Sequence, residues 1–279
     1  MKVGVVGLGS MGSGIAQLSI EAGFETVGRE IDLPRAEEAR VKIAHFLTRK
    51  VEKGQLAQDV RDDAVERLTL TTELAELADC DVVIEAAFED LAVKHELFRA
   101  LEGVVRDDAI LATNTSALSV TEIAAVLERP ERAVGMHFFN PAPLMPLVEI
   151  VRAERTSEAV SDAAYELGAK LGKTPIRCSD TPGFVVNRVL IPLLNDCVRV
   201  LDEAGVTPEA LDAGMQGGAG WPMGPCALLD LVGADVHLQA SEALYEKLRE
   251  PRMAPPPRLV RMVLAGKLGR KSGEGFYTY

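Results

Sequence analysis

The chain has 279 residues, 47% of them hydrophobic, and a formal charge of −12. That length suits about two domains, and the acidic balance argues against nucleic acid or an anionic membrane as partner. Cys80, Cys178, Cys197 and Cys226 are widely spaced and form no CxxC pair, which speaks for a reduced, cytoplasmic chain without a metal site. No apolar run reaches the roughly eighteen residues of a membrane span, and the N-terminal one is too short and too glycine-broken for a signal peptide.

Lys2–Val6 reads as a strand and runs into Gly7-Leu8-Gly9-Ser10-Met11-Gly12; Met11, Ile15, Leu18 and Ala22 then mark one face of a helix. This is strand, tight turn, helix. Gly7 permits the turn, Gly9 leaves room for a pyrophosphate, and Gly12 lets the helix pack close to the strand. The helix start offers N–H groups and a positive dipole end to an anion. A second strand, Thr26–Glu30, ends in an acid eighteen residues beyond Gly12. A carboxylate there can accept from ribose hydroxyls, and its charge predicts NAD over NADP, although the adjacent Arg29 could favour a 2′-phosphate.

Further strands are expected at Leu68–Thr71, Val82–Ala86, Ile110–Thr113 and Ala133–Phe138, with helices between them, notably Pro34–Lys53 and Leu91–Leu101. Alternating units with Val/Ile-rich strands predict a doubly wound parallel sheet covered on both faces. Val148–Val151 and Thr174–Arg177 extend it around a helix over Glu158–Leu171. After Ser179-Asp-Thr-Pro-Gly183 the pattern turns all-helical: a broad apolar stripe from Val186 to Leu201, interrupted by Pro192, then helices over Pro208–Gln216, Ala227–Lys247 and Pro257–Ala265. A kink is expected at Pro192, which cannot donate to the helix ladder. The fold class is therefore α/β, a Rossmann-type domain over residues 1–180 followed by an all-helical domain over 186–279.

Three of the four histidines, His45, His95 and His237, lie in helical stretches and read as surface or boundary residues. His137 ends a strand and precedes the turn Asn140-Pro-Ala-Pro143. In a parallel α/β sheet, ligands sit beyond the carboxyl ends of strands, where an imidazole is placed for proton transfer. Glu149 interrupts the apolar run Leu147–Val151. A carboxylate so embedded needs a partner, and an imidazolium suits. Thr113–Ser116 follows another strand; these side chains can bind a substrate oxygen or cap the helix that starts near Val120. Asn187 is a polar residue on the otherwise apolar opening of the second domain.

Gly7-x-Gly9-x-x-Gly12, Val83-Ile-Glu-Ala, Asn114-Thr-Ser116, His137-Phe-Phe-Asn-Pro141, Pro146-Leu-Val-Glu149-Ile, Gly183-Phe-Val-Val-Asn187-Arg188, Pro222-Met-Gly-Pro225 and Lys271-Ser-Gly-Glu-Gly-Phe-Tyr277 occur in that order. This ordered set resembles the 3-hydroxyacyl-CoA dehydrogenase family, in its short bacterial 3-hydroxybutyryl-CoA dehydrogenase form, across essentially the whole chain. The resemblance implies a homodimeric oxidoreductase acting on an acyl-CoA with NAD. It makes His137 the catalytic base, Glu149 its paired acid, and Ser116 and Asn187 the substrate contacts. It puts Glu30, in place of the usual Asp, together with Glu89, Lys94, Asn114, Asn140 and Lys271, on the cofactor side. Lys53 matches a lysine that meets the CoA phosphates, and Phe46 stands where some members carry a serine. Arg49, Lys50 and Lys53 form a local basic patch in an acidic chain, with Arg49 and Lys53 on one helix face. Three alternatives stay open: a dehydrogenase of carrier-protein-bound hydroxyacyl groups, a hydroxy-acid or sugar-acid dehydrogenase without CoA, and a catalytically inactive NAD-binding or structural protein, against which the intact His137, Glu149, Ser116 and Asn187 set argues.

Overall fold

The computed structural model describes residues 1–279, which divide into two compact units, Met1–Thr181 and Pro182–Tyr279. The first is built on eight strands: β1 (Lys2–Val6), β2 (Glu25–Arg29), β3 (Leu68–Thr71), β4 (Val82–Glu85), β5 (Ile110–Thr113), β6 (Ala133–Phe138), β7 (Leu147–Arg152) and β8 (Thr174–Ser179). They form one sheet in the order β3-β2-β1-β4-β5-β6-β7-β8. The chain runs outward from β1 to β3 and then returns to β4. The topological switch therefore falls between β1 and β4, where a crevice opens beyond the strand ends. Six helices accompany the sheet: α1 (Ser10–Glu21), α2 (Leu33–Glu52), α3 (Gln58–Glu66), α4 (Leu91–Glu102), α5 (Val120–Ala124) and α6 (Glu158–Lys170).

Local chemistry sets the helix starts. Asp32, Asp90, Ser119 and Ser157 cap α2, α4, α5 and α6 by accepting from backbone N–H groups in the first turn, each such cap contributing about 1 kcal/mol. The exceptions are α1 and α3, whose caps, Gly9 and Ala57, make no side-chain bond. Between helices and sheet, Val3, Val5, Ile15, Ile84, Met136 and Ile150 belong to one buried cluster. The short α3 was not expected from the sequence. It is strongly charged and buries only Ala64, so it carries no apolar stripe to read.

The expectation of a parallel sheet needs one correction. Six of the seven neighbouring strand pairs are parallel, but β6 and β7 pair antiparallel, so β7 and β8 run opposite to the other six strands. The connection between them, residues 139–146, is too short for the crossover that a parallel pair requires.

The second unit is helical: α7 (Val186–Glu203), α8 (Pro208–Ala219), α9 (Pro225–Val232), α10 (Ala234–Leu248) and α11 (Pro257–Leu264). α7 continues through Pro192, burying Ile191, Leu194, Val198 and Leu201. The single helix expected over Ala227–Lys247 is two, broken at Gly233, whose φ of 104° lies outside any helical region. His237 is likewise corrected: it is buried, and its Nε2 lies 3.0 Å from Asn195 Oδ1. Its neighbours in sequence include enough apolar residues to bury either face of α10, so periodicity alone misassigned it.

Candidate active site

β6 is buried along its whole length, and its register sets His137 directly opposite Glu149 on β7. Directly opposed residues in an antiparallel pair project from the same face, so the two side chains meet. His137 Nδ1 lies 2.6 Å from Glu149 Oε2, with Glu149 fully buried between Val148 and Ile150. The carboxylate thus fixes one ring nitrogen, which selects the tautomer and the ring orientation. The Phe139 ring packs against the imidazole at a centroid distance of 4.6 Å. Asn114 accepts from the Phe138 backbone N–H at 2.9 Å, joining the end of β5 to the strand that carries the histidine.

At the switch point, Gly7 has φ of 86°. A Cβ on Gly12 would fall 1.7 Å from the Gly7 carbonyl oxygen, whereas one on Gly9 would meet nothing within 4 Å. Gly12 is therefore required for the close turn, and Gly9 for the open space outside it. The uncapped N-terminus of α1 faces that turn. Glu30 lies just beyond β2 and accepts from Leu8 N and Ile31 N, both at 2.8 Å. A cleft of about 720 Å³ opens there, lined among others by Gly7, Gly9, Glu30, Ile31, Phe88 and Leu97. Open space at an uncapped helix start, an acid at the next strand end and apolar walls fit a dinucleotide. Leu8 buries its side chain, Met11 is half-buried and Ser10 is exposed; Ser10 Oγ lies 3.5 Å from Asn140 Oδ1. Arg29, which left the NADP question open, donates to the Thr72 carbonyl at 3.0 Å, and Arg35 pairs with Asp32 at 3.4 Å.

Between β4 and β5 lies a second polar cluster. Lys94 is buried, with its Nζ 2.6 Å from Glu85 Oε1 and 3.3 Å from Glu89 Oε2. Glu85, fully buried, also accepts from Thr113 Oγ1 at 2.6 Å and Ala87 N at 2.7 Å. Glu89 accepts from Thr115 Oγ1 at 2.5 Å, Ser116 N at 2.9 Å and Ala117 N at 3.1 Å. Burial acts to raise the Glu89 carboxyl, but the Lys94 charge and these donors outweigh it and hold the group below the usual carboxylate range. Ser116 is exposed at the rim. It does not cap the following helix; Ser119 does, accepting from Glu122 N at 3.1 Å. Sequence reasoning passed over Glu85 as a site residue. The signal was there, an acid in an otherwise apolar strand, the same one that singled out Glu149.

Of the basic residues on α2, Lys50 is half-buried and forms an ion pair with Glu21. Arg49, on the last turn of α2, and Lys53, just past its end, are exposed. Lys173 was also missed. It is buried and donates to the carbonyls of Ala142 at 2.6 Å and Met145 at 2.9 Å, bracing the loop that follows β6. In the second unit, Asn187 sits half-buried in the first turn of α7, and Lys271 pairs with Asp235 at 2.6 Å.

Comparison with known proteins agrees with this geometry. The family models for the 3-hydroxyacyl-CoA dehydrogenase NAD binding domain and C-terminal domain match residues 2–181 and 183–279. The chain is 46% identical over 280 residues to a 3-hydroxybutyryl-CoA dehydrogenase of Mycobacterium tuberculosis, covering 100% of this chain and 98% of that protein. A probable 3-hydroxybutyryl-CoA dehydrogenase of Deinococcus radiodurans is 43% identical, covering 100% of both. The crystal structure of the (S)-3-hydroxybutyryl-CoA dehydrogenase of Ralstonia eutropha superposes with a TM-score of 0.97 at 40% identity, over 100% of this chain and 98% of that one. The chain belongs to the 3-hydroxyacyl-CoA dehydrogenase family and is an NAD-dependent dehydrogenase.

Proposed function

We propose that the enzyme interconverts (S)-3-hydroxyacyl-CoA and 3-ketoacyl-CoA, with 3-hydroxybutyryl-CoA as its short-chain substrate. The observation that carries this reading is the buried His137–Glu149 pair at 2.6 Å, at the end of a strand in a sheet whose glycine turn suits a dinucleotide. His137 Nε2 takes the proton of the substrate 3-hydroxyl. Glu149 keeps the ring oriented and stabilises the imidazolium that forms, without itself carrying the proton. Ser116 and Asn187 donate to substrate oxygens where charge develops. The chemistry that NAD⁺ supplies when bound is acceptance of the hydride from C3. In the reverse direction the His137 imidazolium returns its proton to the carbonyl oxygen.

In this reading residues 1–180 hold the cofactor, with Gly7, Leu8, Gly9, Ser10, Met11, Gly12 and Glu30 at the adenosine and pyrophosphate half. Glu89, Lys94, Asn114, Asn140 and Lys271 serve the nicotinamide half. Arg49 and Lys53 meet the CoA phosphates. Residues 186–279 are the substrate and dimerisation domain, and the enzyme is a homodimer. The enzyme works in the cytoplasm; no helix is long and apolar enough to cross a membrane, and all four cysteines are free thiols.

The test is NADH oxidation by the purified protein across a chain-length series of 3-ketoacyl-CoA esters, with (S)- and (R)-3-hydroxybutyryl-CoA compared in the forward direction. Turnover of acetoacetyl-CoA and selectivity for (S) are expected. Turnover only of carrier-protein thioesters, or preference for (R), would replace this reading.

A further inference from the structure

The cluster Glu85–Lys94–Glu89 has a charge imbalance. Two carboxylates face one ammonium, within 2.6 and 3.3 Å of its Nζ. Lys94 and Glu85 are sealed from solvent at 1% and 0% side-chain exposure, so water does little to screen them. Five donors, Thr113 Oγ1, Ala87 N, Thr115 Oγ1, Ser116 N and Ala117 N, converge on the two carboxylates. Such donors favour the ionised form of an acid, and Glu89 is held below the usual carboxylate range. The cluster therefore carries one net negative charge, sealed from water at the Glu85–Lys94 end and partly screened at Glu89, whose side chain is 38% exposed.

Its location gives that charge a target. It lies at the carboxyl ends of β4 and β5, and Glu89 accepts directly from the Ser116 backbone. If Ser116 holds the substrate, as proposed above, the reacting carbon and the nicotinamide ring that exchanges a hydride with it must lie close together beside this turn, about 3–3.5 Å apart at the reacting atoms. The ring is cationic in NAD⁺ and neutral in NADH. A fixed negative charge at close range favours the cationic form alone.

We propose that Glu85, through the Glu85–Lys94–Glu89 cluster, is a positioning and electrostatic residue that biases the enzyme toward the oxidised cofactor. Glu85 holds the Lys94 ammonium and the Thr113 turn in place, and it contributes the second carboxylate that makes the cluster negative. This rests on the proposed placement of the substrate at Ser116. Its signature is the ratio of dissociation constants, Kd(NADH)/Kd(NAD⁺). A structural support would move both constants together and leave the ratio alone.

The experiment is a charge series in the full-length protein, with both nucleotides measured by titration calorimetry in the absence of substrate. Glu85→Gln and Glu89→Gln make the cluster neutral, and the double variant Glu85→Gln/Lys94→Met restores one negative charge. The ratio should be similar in the wild type and the double variant, and lower in the two Gln variants. Each charge step should shift it about fivefold, as expected for a unit charge at roughly 10 Å in a partly screened site. A ratio constant across the series overturns the proposal. A shift in Glu89→Gln but not in Glu85→Gln reduces Glu85 to a support and also overturns it. Glu85→Gln alone leaves a buried ammonium short of a charge and is the variant at risk of unfolding; the double variant and Glu89→Gln then decide the matter. A wild-type protein that binds both nucleotides but turns over no 3-ketoacyl-CoA would instead overturn the proposed substrate, which this ratio does not measure.

Discussion

His137 and Glu149 are register partners across the one antiparallel pair in the sheet, with Nδ1 and Oε2 2.6 Å apart. A parallel β7 would have required a long crossover and would not have set these two positions opposite each other through an eight-residue turn. The strand reversal therefore makes the pair, and the pair predicts a specific defect. Glu149→Gln keeps the size of the side chain but removes the charge that balances the imidazolium. The kcat should fall about 10²- to 10⁴-fold, the range for loss of a positioned acid–base function. NADH binding should change little. Steady-state kinetics beside nucleotide titration checks this; a folded variant with wild-type kcat would make Glu149 a structural acid.

Glu30 should show the opposite split. Its carboxylate is aimed at the glycine turn through Leu8 N and at its own chain through Ile31 N, remote in sequence from the proton-transfer pair. Glu30→Ala should raise the KM for NADH by tenfold or more, about the 1.5–3 kcal/mol of hydrogen bonds to a charged group, and leave kcat at saturation nearly intact. The wild type should prefer NADH to NADPH, because Arg29 and Arg35 are engaged by Thr72 and Asp32. Equal kcat/KM with the two cofactors would contradict this.

How much of this was readable in the sequence depended on whether a feature is local. The β1–turn–α1 unit was legible because Gly7, Gly9 and Gly12 act within a few residues of one another, and Glu30 because its spacing follows from one helix and one strand. His137 and Glu149 were each legible, the first by its place at a strand end and the second as an acid among apolar neighbours. That β7 reverses direction was not, since a strand's own pattern carries no direction. Gly233 looked like an ordinary residue in a long apolar-periodic run, yet its backbone breaks that run into α9 and α10. Glu85 carries the same signal as Glu149, an acid among apolar strand neighbours. Lys173 was opaque for another reason: its partners, the Ala142 and Met145 carbonyls, are supplied by packing.

The basic residues on α2 separate by what they already hold. Lys50 is committed to Glu21, whereas Lys53 is exposed at the helix end. Lys53→Ala should raise the KM for acetoacetyl-CoA several-fold and flatten its salt dependence, since exposed charge contacts are screened over about 10 Å at 0.1 M salt. The KM for an acetoacetyl thioester of pantetheine, which lacks the nucleotide phosphates, should stay put. Lys50→Ala should affect stability more than KM. Equal effects of Lys53→Ala on both thioesters would remove it from the CoA site.

The second unit exposes Val185, Val189, Leu231, Val232, Val236 and Leu264, a large set for a helical unit of this size. Contiguous exposed apolar surface marks an interaction site, and a homodimer that covers these side chains is the simplest closed assembly. Light scattering at micromolar concentration should give twice the chain mass of 30.0 kDa. Replacing Val189 and Leu264 with Asp should shift the protein toward monomer. A monomeric wild type at that concentration would rule out the dimer.

The last prediction concerns acid stability and follows from His237. The ring is buried, with Nε2 3.0 Å from Asn195 Oδ1. The Asn195 amide nitrogen donates to Ser241 Oγ at 2.8 Å and to the Met253 carbonyl at 3.2 Å, so its oxygen is the acceptor and His237 Nε2 must carry the hydrogen. Burial with no nearby carboxylate partner pushes the imidazole down to about 4. The folded protein therefore holds His237 neutral across a range in which the unfolded chain, titrating near 6.5, takes up a proton. Between those two values the unfolded state binds more protons, so stability rises with pH there. The contribution is fully present above about pH 6.5 and is lost as the pH falls through 4, amounting in total to about 3 kcal/mol. Chemical denaturation measured from pH 7.5 to 4.5 should show this loss beginning well above the range where carboxylates titrate. His237→Gln retains a donor for Asn195 but cannot take up the proton, so its stability should fall less over the same interval. Parallel curves for the two proteins between pH 6.5 and 5 would show that His237 does not drive the acid sensitivity.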